Sequence, residues 1–227
     1  MKNSYLRFIL PAVMSFVTAA HAADYAPQAW QIRRAEFGKI VQGINQGDAS
    51  AVKKFDDVLT EFDTSPQMSR TPLENMEILG LYYVPREGVE KTLPIIVKTA
   101  LLGWYDALRF ASASGKAEIS QGLFMLPIAM GGPEARAKAA KFFAEQPART
   151  EQMVSQGVAF AARNRGKVGY DQHWPTAFGL ERMICAEGGA CDTVPPLPES
   201  QWDAAWAEAE KHVRAYYRGD AKSQVIK

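Results

Sequence analysis

The stretch from Leu93 to Ala113 limits the possible folds more than any other part of the chain. Ile95, Ile96, Val97, Leu101, Leu102, Trp104, Tyr105, Leu108 and Phe110 occupy more than one face of a helix drawn through it. A helix apolar on a single stripe lies on a surface, whereas one apolar on several sides has to be covered on several sides. The spacing therefore predicts a central helix, and the rest of the chain has to supply what packs around it.

Further helices are what the chain offers. Trp30, Phe37, Ile40, Val41 and Ile44 fall on one helical face, and Gln46-Gly47-Asp48 ends that helix and caps the next. In the second helix Val52, Phe55, Leu59 and Phe62 recur at three- and four-residue steps, and the short turn predicts an antiparallel pair closed by Pro66. Thr71-Pro72-Leu73-Glu74 combines an N-cap hydroxyl, a first-turn proline and a capping-box glutamate. Pro127 is expected to kink or stop the apolar run from Leu123 to Met130 before Gly131-Gly132-Pro133 restarts a helix. Two helices are expected over Glu134 to Glu145 and Arg149 to Arg163, divided by Pro147. A last one spans Gln201 to Arg218, capped by Ser200, with Trp202, Ala205, Trp206, Ala209, Val213 and Tyr216 facing inward.

Leu81-Tyr82-Tyr83-Val84 and Ile95-Ile96-Val97 are strand-like but lie inside helical patterns. The expectation is an all-α fold, a compact multi-helix bundle of about eight or nine helices. No fixed repeat period recurs, which argues against a solenoid. Val194-Pro195-Pro196-Leu197-Pro198 is read as a linker that lays the last helix back across the bundle.

The first residues read as a signal peptide: Lys2 and Arg7 as the basic region, an apolar stretch from Phe8 to Ala20, and Ala20-His21-Ala22 as the cleavage site. The expected organisation is a leader over 1–22 and a single α-helical domain over 23–227, exported to the periplasm without stable membrane insertion. Export favours a disulfide between Cys185 and Cys191, which are separated by five residues that include Gly188 and Gly189. So short a ring is worth about 2 to 3 kcal/mol and would chiefly fix a local loop.

Loss of the leader takes the 26 basic residues to 24 against 25 acidic ones, a balance without the footprint of a nucleic-acid binder. No Walker loop, dinucleotide fingerprint, nucleophile elbow or zinc pattern is present, and no cofactor or metal is expected. The most polar-aromatic stretch outside a helical pattern is Tyr170-Asp171-Gln172-His173-Trp174-Pro175, and loops carried by a scaffold commonly hold function. Asp171 and His173 could act as an acid-base pair, with Glu181 or Glu187 nearby. Asp56, Asp57, Glu61 and Asp63 form an acidic helix face that suits a basic partner or a weak calcium site. Trp104, Trp202 and Trp206 are read as core, and Trp30 and Trp174 as exposed anchors.

From the Ala20-His21-Ala22 leader, through Gly103-Trp104-Tyr105-Asp106 and Tyr170-Asp171-Gln172-His173-Trp174, to Cys185, the chain resembles periplasmic immunity proteins. These protect bacteria from antibacterial effectors such as the phospholipases of type VI secretion. The resemblance implies a stoichiometric inhibitor, without chemistry of its own, that occludes the active site of a toxin. The expected contact residues are Tyr170, Asp171, His173 and Trp174, together with Asp56, Asp57, Glu61 and Asp63. The alternatives are an exported hydrolase acting on envelope lipid or polymer, in which His173 carries turnover, and a helical scaffold for envelope assembly.

Overall fold

The computed structural model describes residues 29–64, 68–186 and 195–218. The segment read as a leader, the side chains of Trp30 and Cys185, and the whole of Cys191 lie outside these residues, and with them the expected disulfide. All regular structure among the described residues is helical, as the periodicity requires. The helices are α1 (Ala29–Asn45), α2 (Ala49–Thr64), α3 (Pro72–Ile78), α4 (Val84–Phe110), α5 (Ala113–Ser120), α6 (Leu126–Met130), α7 (Gly132–Glu145), α8 (Pro147–Asn164), α9 (Leu180–Ala186) and α10 (Trp202–Tyr217). Two π-helical turns, Leu79–Tyr83 and Gln121–Met125, join α3 to α4 and α5 to α6.

Helix α4 is the central element. Leu93, Ile96, Val97, Ala100, Leu101 and Ala107 are wholly buried, and α8, α10, α7 and α3 pack around it. Its helical path breaks once, at Gly88, whose φ of 78° is open to glycine and strained for other residues. The core segment therefore begins after Gly88, and it ends at Phe110, short of the expected Ala113, because the Ser112 hydroxyl accepts the Gly115 N–H and starts α5. Helix α8 crosses α4 at Gly157, where an added Cβ would lie 2.5 Å from Val97 Cβ and 2.6 Å from the Pro94 carbonyl oxygen.

The start of α3 follows the sequence expectation. Thr71 N–H donates to Glu74 Oε2 at 2.7 Å and Glu74 N–H donates to Thr71 Oγ1 at 3.4 Å, a complete capping box. Every residue of α3 is buried, including Glu74 and Glu77. Two arginines of α1 neutralise these carboxylates: Arg33 reaches Glu74 at 3.0 Å and Arg34 reaches Glu77 at 2.8 Å. Burial still raises the Glu77 carboxyl above its ordinary pKa, against the pull of Arg34. The α1–α2 pair is thus pinned to the bundle by ion pairs and by an apolar cluster of Phe37, Val58, Leu59 and Ile78.

Several sequence expectations need correction. Val52 is 46% exposed, because α2 turns Ala51, Val58 and Leu59 inward. Pro127 opens α6 in its first turn instead of stopping a helix, where its missing N–H is tolerated. Ser200 is not the cap of α10: Pro198 leads into a 3-10 turn over Glu199–Gln201, and Gln201 occupies the N-cap position without a side-chain bond. Tyr216 packs partly buried against the core as expected, and Tyr217 beside it is buried more deeply. The Pro-rich connection does return α10 to the bundle, through Leu197 N–H donating to the Arg109 carbonyl at 2.7 Å and Trp202 Nε1 donating to the Leu197 carbonyl at 2.9 Å.

Candidate functional site

The expected contact loop separates into a buried pair and an exposed pair. Trp174 is completely buried, contrary to its reading as an exposed anchor, and its Nε1 donates to Asp106 Oδ2 at 3.0 Å. Tyr170 is also buried, and its hydroxyl bonds to the same carboxylate. Arg109 Nη2 completes the cluster at 2.5 Å from Asp106 Oδ1, and its guanidinium lies 3.7 Å above the Tyr105 ring. A buried carboxylate is tolerable when donors saturate it, and two of these three, Trp174 and Tyr170, tie the loop to α4. Burial pushes the Asp106 carboxyl up to about 6 against the opposing pull of Arg109 and Trp174. It raises the Tyr170 hydroxyl well above its ordinary range too, aided by the neighbouring Asp106. The Tyr170 and Trp174 side chains are buried and hold the loop.

Asp171 and His173 remain on the surface, their side chains 60% and 58% exposed, with Nδ1 3.3 Å from Oδ1. The imidazole rests on the Phe110 ring at a centroid distance of 4.2 Å. Glu181 is taken up elsewhere, accepting hydrogen bonds from Ser112 and Ser114. Among the described residues no three His, Cys, Asp or Glu side chains gather as metal ligands would, so the carboxylate-imidazole arrangement stays a surface pair.

The acidic face of α2 is also divided. Asp57 pairs with Lys53 one turn away, and Asp56 stands exposed beside it. Glu61 turns toward the segment after α2, accepting from Ser69 Oγ at 2.9 Å and from Arg70 Nη2 at 2.6 Å. Burial opposes its ionisation, but Arg70 and Ser69 more than offset this and hold the carboxyl below its ordinary pKa. Asp63 accepts a short hydrogen bond from the Tyr83 hydroxyl. Partner demand within the fold, and not only solvation, explains half of this stripe.

Glu61 and Asp63 line a groove of about 280 Å³ formed by α2, the 68–70 segment, α4 and α8. Phe62, Ile95 and Phe160 give it apolar walls, and Ile95 and Phe160 are also among the exposed large apolar residues of the surface. Arg70 lines it as well; the buried Nε of this guanidinium has no hydrogen-bond partner. Lys98 projects from α4 one turn beyond Ile95 and on the same side. Its amine is half-buried, meets no hydrogen-bond or ion-pair partner among the described residues, and is lowered in pKa by burial. The lysine escaped the sequence reading, although a lone cation between Ile95-Ile96-Val97 and Ala100-Leu101-Leu102 was the available signal.

No protein-family model, no curated protein and no solved structure matches the chain.

Proposed function

We propose that the protein is an exported binding protein that neutralises a protein partner, as the immunity proteins it resembles do, and that the partner engages the groove between α2, α4 and α8. The observation that carries this reading is Lys98: a half-buried cation without a counter-ion among the described residues, in a groove whose lining also includes Phe62, Ile95 and Phe160. Such a group weakens the isolated fold and gains from a carboxylate brought by something else. The rim provides the other half of an interface, since Ile95 at 37% and Phe160 at 36% exposure offer apolar contact around the charge. Asp171 and His173 form a second exposed patch that an occluding partner could touch, whereas Tyr170 and Trp174 serve the fold.

The partner in this reading is an antibacterial enzyme of the lipase class, and inhibition follows from covering its active site without chemistry by the inhibitor. The test is capture from the envelope fraction of the source organism with tagged protein, in parallel for the wild-type chain and Lys98→Glu. The expected result is one near-stoichiometric enzyme retained by the wild type, lost with Lys98→Glu, and inhibited when wild-type protein is added back. Retention of nothing, or of an enzyme whose turnover is unaffected by saturating protein, contradicts the proposal.

A further inference from the structure

We infer that the α1–α2 hairpin is a strap that opens from the bundle as one unit while the helices around α4 stay folded. Its attachments carry this independently of any partner. Along their backbones α1 and α2 run close to each other and, over any length, to no other helix. Among the described side chains of the pair only Phe37, Ala51, Val58 and Leu59 are buried, whereas α4 buries most of its residues. Burial of apolar surface is what holds a helix in place, so the hairpin is held far less firmly than α4. Phe37, Val58 and Leu59 close on Ile78 in an apolar cluster that shares no buried residue with the larger one centred on α4. The two clusters meet at the partly buried Phe62 and Tyr83.

The remaining attachments are polar. Arg33 and Arg34, with side chains 34% and 33% exposed, reach the buried Glu74 and Glu77. Glu61 accepts from Ser69 and Arg70, and Asp63 from the Tyr83 hydroxyl. Half-exposed ion pairs of this kind fix a register and add little net strength, because desolvation of the carboxylate offsets most of the attraction. The Glu77 carboxyl, raised by burial in spite of Arg34, records that offset. Opening the hairpin returns these charges to water, whereas opening α4 would expose the main apolar core. Opening also takes Glu61, Phe62 and Asp63, one wall of the groove, away from Ile95, Lys98 and Phe160. The strap therefore sets whether the groove exists, and any molecule seated there holds the hairpin closed by mass action.

Native-state hydrogen exchange on the full chain, at low denaturant, tests the strap. The expected result is that the amides of α1 and α2 exchange through one shared opening, at least about a hundredfold faster than the slowest amides of α4 and α8. Arg34→Gln leaves Glu77 buried without its counter-ion only while the hairpin is closed. It should therefore speed exchange in both hairpin helices at least about tenfold and leave α4 and α8 unchanged. Protection of α1 and α2 equal to that of α4 and α8 overturns the inference, and so does a variant that accelerates all four helices alike. Unrelated rates in α1 and α2 also overturn it, because the pair then frays helix by helix. The wild-type pattern decides between these results even where Arg34→Gln fails to fold. No partner enters the measurement, so its failure is distinct from failure of the proposed function.

Discussion

Helix α4 carries two ionic neighbourhoods about 12 Å apart along its axis. At Asp106 and Arg109 each charge is buried and answered, by one another and by Trp174 and Tyr170. At Lys98 the charge is half-buried and unanswered among the described residues. The contrast separates charges that hold the molecule together from a charge available to something outside it. Removing a member of the first group should damage the fold, and removing the second should damage binding alone.

The largest expected effect is therefore at the satisfied end. Asp106→Ala leaves Arg109 buried without its counter-ion and should lower stability by about 3 to 5 kcal/mol in denaturant titration. His173→Ala, in the same region but exposed, should change it by less than about 0.5 kcal/mol. A loss at Asp106 no greater than that at His173 would remove the distinction between the two side chains. Next in size is Gly157→Ala, which forces a methyl against Val97 and the Pro94 carbonyl where α8 crosses α4. The expected loss is about 1 to 3 kcal/mol, with an unchanged denaturation midpoint as the opposing result.

Acidity sharpens the same comparison. The folded-state pKa of Asp106 is raised to about 6 from an ordinary 3.8, chiefly by burial, so the folded form holds this proton more tightly than the unfolded chain. The group's own contribution to stability is fully present below the ordinary value and is lost as pH rises from there through about 6. The Trp174 indole N–H resonance, which reports on the carboxylate it donates to, should titrate with a midpoint near the raised value. A signal flat down to the ordinary aspartate range would contradict this. The smallest effect on the fold is expected at Lys98→Met, which removes an unanswered cation from partial burial and should leave the melting temperature equal or higher. A clear drop would mean that Lys98 has a structural partner after all.

What could be read from the residues divides along sequence distance. The capping box at Thr71 and Glu74 and the central position of Leu93 to Phe110 were legible because both depend on near neighbours or on a long periodic pattern. Trp174 was misread as exposed because the group that buries it, Asp106, stands 68 positions earlier and no local pattern announces the pair. The acidic stripe of α2 looked like one surface because its residues are close in sequence. Arg70 and Tyr83 draw Glu61 and Asp63 into the groove and leave Asp56 and Asp57 outside it. Lys98 passed unnoticed for the opposite reason, as one polar residue in an apolar run whose exposure depends on how α2 and α8 flank α4.

The most direct test compares the affinity of the enzyme that the proposed function expects to be captured for three forms of the protein: wild type, Lys98→Met and His173→Ala. The account predicts a loss of about tenfold or more with Lys98→Met, at unchanged stability, and a smaller change with His173→Ala. Wild-type affinity in Lys98→Met, with binding lost instead in His173→Ala, would contradict it and move the interface to the exposed loop.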